Sequence, residues 1–335
     1  MRIDRSRRSL RVLAVVAAAS AVLAACSSQG GAQQQSGGGG GGGGGDTSGE
    51  NLTIQMVTHE QAGDTFWDKI RAGAQDAADA HGITLQYSNN ENGPEQATLV
   101  QNAIDSKVSG LAVTLSNADA VIPVAAKAAE SGIPVVVFNQ GYDDYAEAGS
   151  KMYFGSDELL AGQTIGQKLT QQDPSGKTLC VIQAQGSVAL ETRCAGVKQG
   201  YSNTENLQVN GADLPSVQQT IQSKLAQDSS ITNIVTLGAP IALAALQAQE
   251  ASGNTAKLVT FDLNQEAAQA IKDGKILFSI DQQPYVQGYM SVTMLWMNIT
   301  NGNDIGGGKP TLTGPSIVDT TNIDQILPFT ANNRR

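Results

Sequence analysis

The sequence predicts an α/β protein of two parallel-sheet lobes, and three observations carry that prediction. Apolar segments of strand length alternate with segments of helical period from residue 51 to about residue 300. The same strand and helix order restarts near residue 158. Several strand segments are almost continuously apolar, as a strand covered on both faces requires.

In chain order, residues 52–57 (Leu-Thr-Ile-Gln-Met-Val) read as a strand, and Asp64 can cap a helix over 65–80 that stops at His81-Gly82. Residues 83–87 form the next strand. Over 96–106, Ala97, Leu99, Val100, Ala103 and Ile104 recur at helical spacing, and 110–115 is a short apolar strand. A helix over 119–130 ends at Ser131-Gly132, before the strand 133–138. The second half reads as helix 158–170, strand 178–183, helices 195–201 and 217–227, strand 233–237, helix 242–250, strand 257–261, helix 265–272, strand 276–280 and a long helix 286–300. Strands joined through helices pair in parallel, so two Rossmann-like lobes result.

Length and charge narrow the function. The 335 residues suit about two ordinary domains. The 37 glycines lack the period of three that collagen needs. A formal charge of −10 argues against a phosphate-tracking surface, so no nucleic-acid partner is expected. Three cysteines and two histidines without short spacings make no structural metal site, and no cofactor is expected.

Residues 1–25 have the layout of a secretory signal: arginines at 2, 5, 7, 8 and 11, then an apolar run from 12 to 25 that is too short to span a bilayer. Leu23-Ala24-Ala25-Cys26 resembles the lipobox of bacterial lipoproteins, which implies lipidation of Cys26 and cleavage before it. The competing reading is a buried free cysteine. Ser6-Arg7-Arg8-Ser9-Leu10-Arg11 also resembles a twin-arginine export motif, a pattern that arginine-rich leaders produce by chance, so the export route stays open. Two or three acyl chains hold a protein on a membrane where one is marginal. Residues 26–50, with nine consecutive glycines, read as a flexible tether with a reach of roughly 25–30 Å. Cleavage removes five arginines and Asp4, which moves the formal charge from −10 to −14.

Open parallel sheets bind ligands outside the carboxyl ends of their strands. Those ends carry His59 to Trp67, Ser116-Asn117, Asn139-Gln140-Gly141, Gln183 to Arg193, Gly238-Ala239-Pro240 and Asp262-Leu263-Asn264. Aromatics mixed with amides, carboxylates and an arginine suit a polyol: planar polar groups bridge adjacent hydroxyls, and a ring face covers the C–H side of a sugar.

From residue 51 to about 325 the chain resembles the periplasmic sugar-binding proteins of the ribose-binding, type I class. The resemblance rests on Gly63-Asp64-Thr65-Phe66-Trp67, Ser131-Gly132-Ile133-Pro134-Val135-Val136 before Asn139, Arg193-Cys194-Ala195-Gly196 at a helix start, Phe261-Asp262, and Asp281-Gln282-Gln283-Pro284 before the long helix. It implies a hinge between an N-terminal lobe (51–155 plus 284–313) and a C-terminal lobe (156–283 plus 314–330). It also implies that Phe66 and Trp67 stack on ligand, that Asn139 holds hydroxyls where many relatives use Asp, and that Arg193, Asp262 and Gln282 supply second-lobe and hinge contacts. Asn139-Gln140 replaces the Asp-Arg pair of ribose-type relatives and Gly238-Ala239-Pro240 the usual Asn-Asp, so the identity of the sugar does not transfer.

The candidate ligand-binding residues are therefore His59, Asp64, Phe66, Trp67, Asn139, Gln140, Arg193, Asp262 and Gln282. Each has a plainer alternative. Phe66 and Trp67 suit an apolar helix face, Asp262 a helix cap, Arg193 a surface pair with Glu191, and His59 a satisfied loop residue. Cys180 and Cys194 can form a disulfide in an exported chain, bracing the loop that bears Glu191 and Arg193; neither belongs to a C-x-x-C motif. No G-x-S-x-G, P-loop or H-E-x-x-H motif is present, and glycoside hydrolysis by Asp64 with Asp262 needs a separation the sequence does not supply. The expected protein is not an enzyme. It is a monomeric solute-binding lipoprotein that takes a sugar or polyol and, as the resemblance implies, delivers it to an ATP-driven (ABC) import permease. The alternative is a sensor presenting a sugar-like signal to a membrane receptor.

Overall fold

The computed structural model describes residues 51–61 and 63–335. The expected signal segment 1–25, the tether 26–50 and Cys26 lie outside the described residues.

The first run of elements is β1 (Thr53–Thr58), α1 (Phe66–His81), β2 (Thr84–Asn89), α2 (Gly93–Asp105), β3 (Gly110–Val113), α3 (Ala118–Glu130), β4 (Val135–Asn139), β5 (Tyr153–Gly155) and α4 (Glu158–Gln172). The second is β6 (Lys177–Ile182), α5 (Val188–Gly200), β7 (Thr204–Gln208), α6 (Leu214–Gln227), β8 (Ile231–Thr236), α7 (Ala239–Ser252), β9 (Lys257–Phe261), α8 (Gln265–Lys272), β10 (Phe278–Asp281) and α9 (Pro284–Asn301). β11 (Thr311–Leu312), β12 (Ser316–Asp319) and α10 (Ile323–Thr330) close the chain.

Two six-stranded sheets result, ordered β2-β1-β3-β4-β5-β11 and β7-β6-β8-β9-β10-β12. All neighbouring strands are parallel except β12, which runs antiparallel to β10. The central strands β3 and β4 are buried along their whole length, which is why Gly-Leu-Ala-Val and Val-Val-Val-Phe-Asn carry no alternation. The edge strands differ. β7, Thr-Glu-Asn-Leu-Gln, alternates with solvent, and its polar composition hides it from a search for apolar runs. The short β5, β11 and β12 and the helix α10 were likewise not expected from the sequence.

Asparagine and aspartate caps set the helix starts: Asn92, Asn117, Asp157, Asp213 and Asn264 each accept a backbone N–H from the first turn. The expected helix starts are met to within about three residues, and one differs more. α5 begins at Val188 rather than at residue 195, so Arg193 sits in its second turn and not at a helix start. Its buried face of Ala189, Leu190, Arg193, Cys194 and Val197 has helical spacing, but a buried arginine breaks the apolar pattern. The Cys180–Cys194 disulfide therefore ties strand β6 to helix α5, with a Cα–Cα distance of 5.9 Å, instead of bracing a loop.

Before its last helix the chain crosses between the sheets three times. α4 follows β5 of the first sheet but packs along α5, and α9 follows β10 of the second sheet but packs along α1. Both helix pairs depend on glycine: a Cβ at Gly162 would lie 2.0 Å from the Arg193 carbonyl oxygen, and one at Gly73 would lie 2.0 Å from that of Tyr285. The third crossing joins β11 to β12. Thr313 there donates its N–H to Gly155 O at 2.8 Å and its hydroxyl to Gln282 O at 2.7 Å, while Gln283 Nε2 donates to Thr313 O at 2.6 Å. These bonds stitch the three crossing segments into one hinge.

Candidate functional site

Each sheet changes direction between its first and third strands, the switch point at which open α/β sheets take ligands. The carboxyl ends of both sheets border a single cavity of about 510 Å³. All nine candidate residues line it.

On the first lobe, His59 follows β1 and bonds through both ring nitrogens, to Thr114 and to Gln140, each at 2.8 Å. Burial holds its pKa down at about 3, so the ring is neutral. The loop is braced from behind by Glu60, which pairs with Arg71 and accepts the Tyr87 hydroxyl at 2.7 Å. Asp64 Oδ1 accepts the Phe66 N–H at 3.0 Å, and burial raises the Asp64 pKa. Phe66 and His59 both meet Trp67 edge to face, with centroids 5.3 and 4.8 Å apart. Trp67 is only 3% exposed and belongs to the core of its lobe, while Phe66 is half-buried on the wall.

Asn139 ends β4, and Asp262 follows β9, the strand equivalent to β4 in the second sheet. Their φ values of 62° and 60° lie in the left-handed region that non-glycine residues rarely occupy, and such strain clusters at ligand clamps. Asn139 Nδ2 donates to Gln287 Oε1 at 3.2 Å.

Asp262 is a strongly perturbed cleft acid. Burial pushes its pKa up to about 7 against the pull of Arg193, with Asp281 and Asp64 pushing the same way as burial. Its two oxygens share one amide donor, Gln282 Nε2, at 3.0 Å each. A carboxylate has about four acceptor directions, so most of its capacity is open. Asp262 is not the cap of the next helix, because Asn264 accepts the Ala267 N–H there at 2.8 Å.

Arg193 does not pair with Glu191. Its Nε donates to Glu158 Oε2 at 2.5 Å and one terminal nitrogen donates to Glu158 Oε1 at 3.1 Å, while the guanidinium lies 4.6 Å over the Phe261 ring. This fork leaves the outer edge of Arg193 on the cavity wall.

Sequence reasoning missed Glu158 and Lys69. Lys69 is 2% exposed, its Nζ donates to Thr65 O at 3.1 Å, and burial lowers its pKa while Asp262, Asp68, Asp64 and Asp281 oppose that. It also missed Glu91, and Gly211, Ala212 and Leu214, which follow β2 and β7. The strand-end rule reaches these last residues once β7 is recognised. Among the described residues, no group of three or more His, Cys, Asp or Glu is arranged to hold a metal ion.

The model of the family described as Periplasmic binding protein domain matches residues 54–304. The chain belongs to that family. A crystal structure of a carbohydrate transporter from Acidothermus cellulolyticus 11B, in complex with myo-inositol, is 49% identical to this periplasmic binding protein, with a TM-score of 0.83, covering 85% of this chain and 99% of that one. The ribose import binding protein RbsB of Haemophilus influenzae is 28% identical over 237 residues, 68% of this chain and 79% of that protein. The xylose/arabinose-binding protein XylF of Sulfolobus acidocaldarius is 24% identical over 252 residues, 69% of this chain; the match spans 62% of that relative's length. The two-lobed fold is thus that of a type I periplasmic binding protein, and no described helix is long and apolar enough to cross a membrane.

Proposed function

We propose that this chain is an extracytoplasmic solute-binding lipoprotein that captures a sugar or cyclic polyol between its lobes and delivers it to an ABC import permease. One observation carries the reading: both sheets turn polar strand ends into one cavity of about 510 Å³, with open acceptor capacity at Asp262, amides at Asn139 and Gln140, a braced guanidinium at Arg193 and an aromatic face at Phe66. That size falls in the usual range for small-molecule sites. The myo-inositol in the 49% identical transporter and the pentoses in the names of the more distant relatives support the same class.

Ligand enters an open cleft, meets one lobe, and favours closure because only the closed state lets both lobes hold it; the population shift equals that difference in affinity. Cys26 carries the lipid anchor, the protein acts as a monomer, and it catalyses no reaction. A sensor role would use the same clamp, with a membrane receptor in place of the permease.

A thermal-shift and calorimetric screen of pentoses, hexoses, inositols and amino acids on residues 51–335 tests the ligand class. Polyols are expected to raise the melting temperature and amino acids to leave it unmoved; a screen in which no polyol binds would remove the proposal. Loss of uptake on deletion separates importer from sensor. Cys26→Ala is expected to release the protein from membranes.

A further inference from the structure

Behind the first lobe's wall runs a buried polar chain. Gln96 Nε2 donates to the Thr114 hydroxyl oxygen at 3.1 Å and to the Thr114 carbonyl at 2.9 Å. Thr114 Oγ1 lies 2.8 Å from His59 Nδ1, and His59 Nε2 lies 2.8 Å from the side-chain amide nitrogen of Gln140. Gln96 and Thr114 are fully buried, and neither borders the cavity; His59 and Gln140 do.

The neutral ring has one N–H and one bare nitrogen, so the chain has two arrangements. In the first, the Gln140 amide donates to Nε2 and Nδ1–H donates to Thr114. The threonine oxygen then accepts twice, and its own proton has no acceptor among the described residues. In the second, the Gln140 amide is turned by 180°, a change of almost identical shape that interchanges its oxygen and nitrogen. Gln96 then donates to Thr114, the Thr114 O–H donates to Nδ1, and Nε2–H donates to the Gln140 oxygen. The threonine hydroxyl and both ring nitrogens are then all satisfied. A buried donor without an acceptor is disfavoured by roughly tenfold or more, so the second arrangement dominates.

We propose that Gln96, Thr114 and His59 are positioning residues that fix Gln140 with its NH₂ group toward the cleft. This point of the wall is then a hydrogen-bond donor, and a ligand must offer it an oxygen lone pair. Asp64 and Asp262 are acceptors on the same cavity. The cleft thereby reads a hydroxyl's oxygen at Gln140 and hydroxyl protons at the two carboxylates. That polarity selects a ligand whose hydroxyls are held in defined directions over one that is merely the right size. The inference rests on the reading that Gln140 faces ligand, but the ring tautomer behind it does not.

The experiment is ¹⁵N spectroscopy of the histidine rings in the ligand-free protein at pH 7, with His81→Asn used to assign the two histidines. His59 is expected as the Nε2–H tautomer; the Nδ1–H tautomer would overturn the proposal, whether or not any polyol binds. A second arm titrates myo-inositol into Thr114→Val and Thr114→Ser. Valine matches the shape of threonine but removes the hydroxyl, and its affinity is expected to fall about tenfold. Serine keeps the hydroxyl and is expected to stay within about threefold of the parent. A packing role for Thr114 predicts the reverse order, because serine leaves a gap and valine fills it. If the parent protein binds no polyol, the functional proposal fails while the ring nitrogens still decide this one.

Discussion

At the scale of single residues, the cleft collects groups whose ordinary charge states burial opposes. Asp262 is one case, with a pKa pushed up to about 7. In the unfolded chain it titrates near 4, so between about pH 4 and pH 7 the folded state binds more protons than the unfolded one. Asp262 therefore subtracts stability as pH rises through that window, and its cost levels off above about pH 7. Asp262→Asn is expected to remove that slope and to raise the melting temperature of the ligand-free protein at pH 8, by roughly 2–4 °C for each kcal/mol relieved. The same variant is expected to weaken polyol binding about 100-fold, since a buried charged acceptor has lost its strength. Melting scans from pH 4 to 9 with parallel titrations check both signs; a variant that melts lower and binds normally would contradict the assignment. Phe66 and Trp67 divide differently. Phe66→Ala is expected to lower affinity with little change in the melting of the ligand-free protein, whereas Trp67→Ala, at 3% exposure within the core, is expected to cost about 3–5 kcal/mol of stability as well. All nine candidate residues border the cavity, and the strand-end rule reaches them because each stands at a strand's end, in the loop after it, in the first two turns of the helix that follows, or at the hinge. Lys69, Gln96 and Glu158 were not legible, because a polar side chain inside a helix reads as a solvated face until its buried partner is seen; Thr114 falls inside the expected strand 110–115 and was passed over as part of it, although β3 ends at Val113.

At the scale of elements, the sequence reads best where a segment's two faces share one environment. β3 and β4 are buried throughout, whereas β7 alternates with solvent at a sheet edge and β12, at another edge, is only four residues long. Helices α4 and α5 approach so closely that glycine sets their separation. Gly162 faces the Arg193 carbonyl, and Gly196 faces that of Leu159, so a methyl group at either position must push the helices apart. Gly162→Ala is expected to cost about 1–3 kcal/mol and to shift Arg193 relative to Phe261, lowering ligand affinity. A destabilised variant with parental affinity would mean that the Arg193 position is set elsewhere. The disulfide fastens the opposite face of α5 to β6. The loop it closes contributes about 3 kcal/mol in the chain-entropy account, so Cys180→Ala with Cys194→Ala is expected to lower stability by that order. A reductant should reproduce the loss in the parent and have no effect on the double variant.

At the scale of the whole molecule, the two-lobed plan was legible in the restart of the strand and helix order near residue 158, but the way the chain's last residues reach the hinge was not. Arg334-Arg335 looks like two solvated charges. In the structure, α10 packs on α8 beside the second sheet, and the segment after it crosses to the first lobe's helices, where Arg334 pairs with Asp76 on α1 next to the Tyr285 hydroxyl. Arg335 Nε lies 2.7 Å from Asp281 Oδ2, at the end of β10 where the hinge begins, and its terminal nitrogen donates to Gln283 Oε1 at 2.6 Å. The two arginines act in different surroundings. Asp76 and Arg334 are about a third to a half exposed, so their attraction is screened and worth under about 1 kcal/mol. Asp281 is 1% exposed; burial raises its pKa and Arg335 opposes that shift, so removing the arginine strands a buried carboxylate. Arg335→Ala is accordingly expected to cost about 3 kcal/mol near neutral pH, with the loss shrinking at low pH as Asp281 takes up a proton. Arg334→Ala is expected to cost far less, and nothing measurable in 1 M salt. The decisive comparison is the double variant Arg335→Ala with Asp281→Asn. If the arginine serves to neutralise the hinge carboxylate, replacing that carboxylate restores most of the stability lost in Arg335→Ala; if the double variant is as unstable as the single one, Arg335 acts through its packing against the hinge and not through its charge.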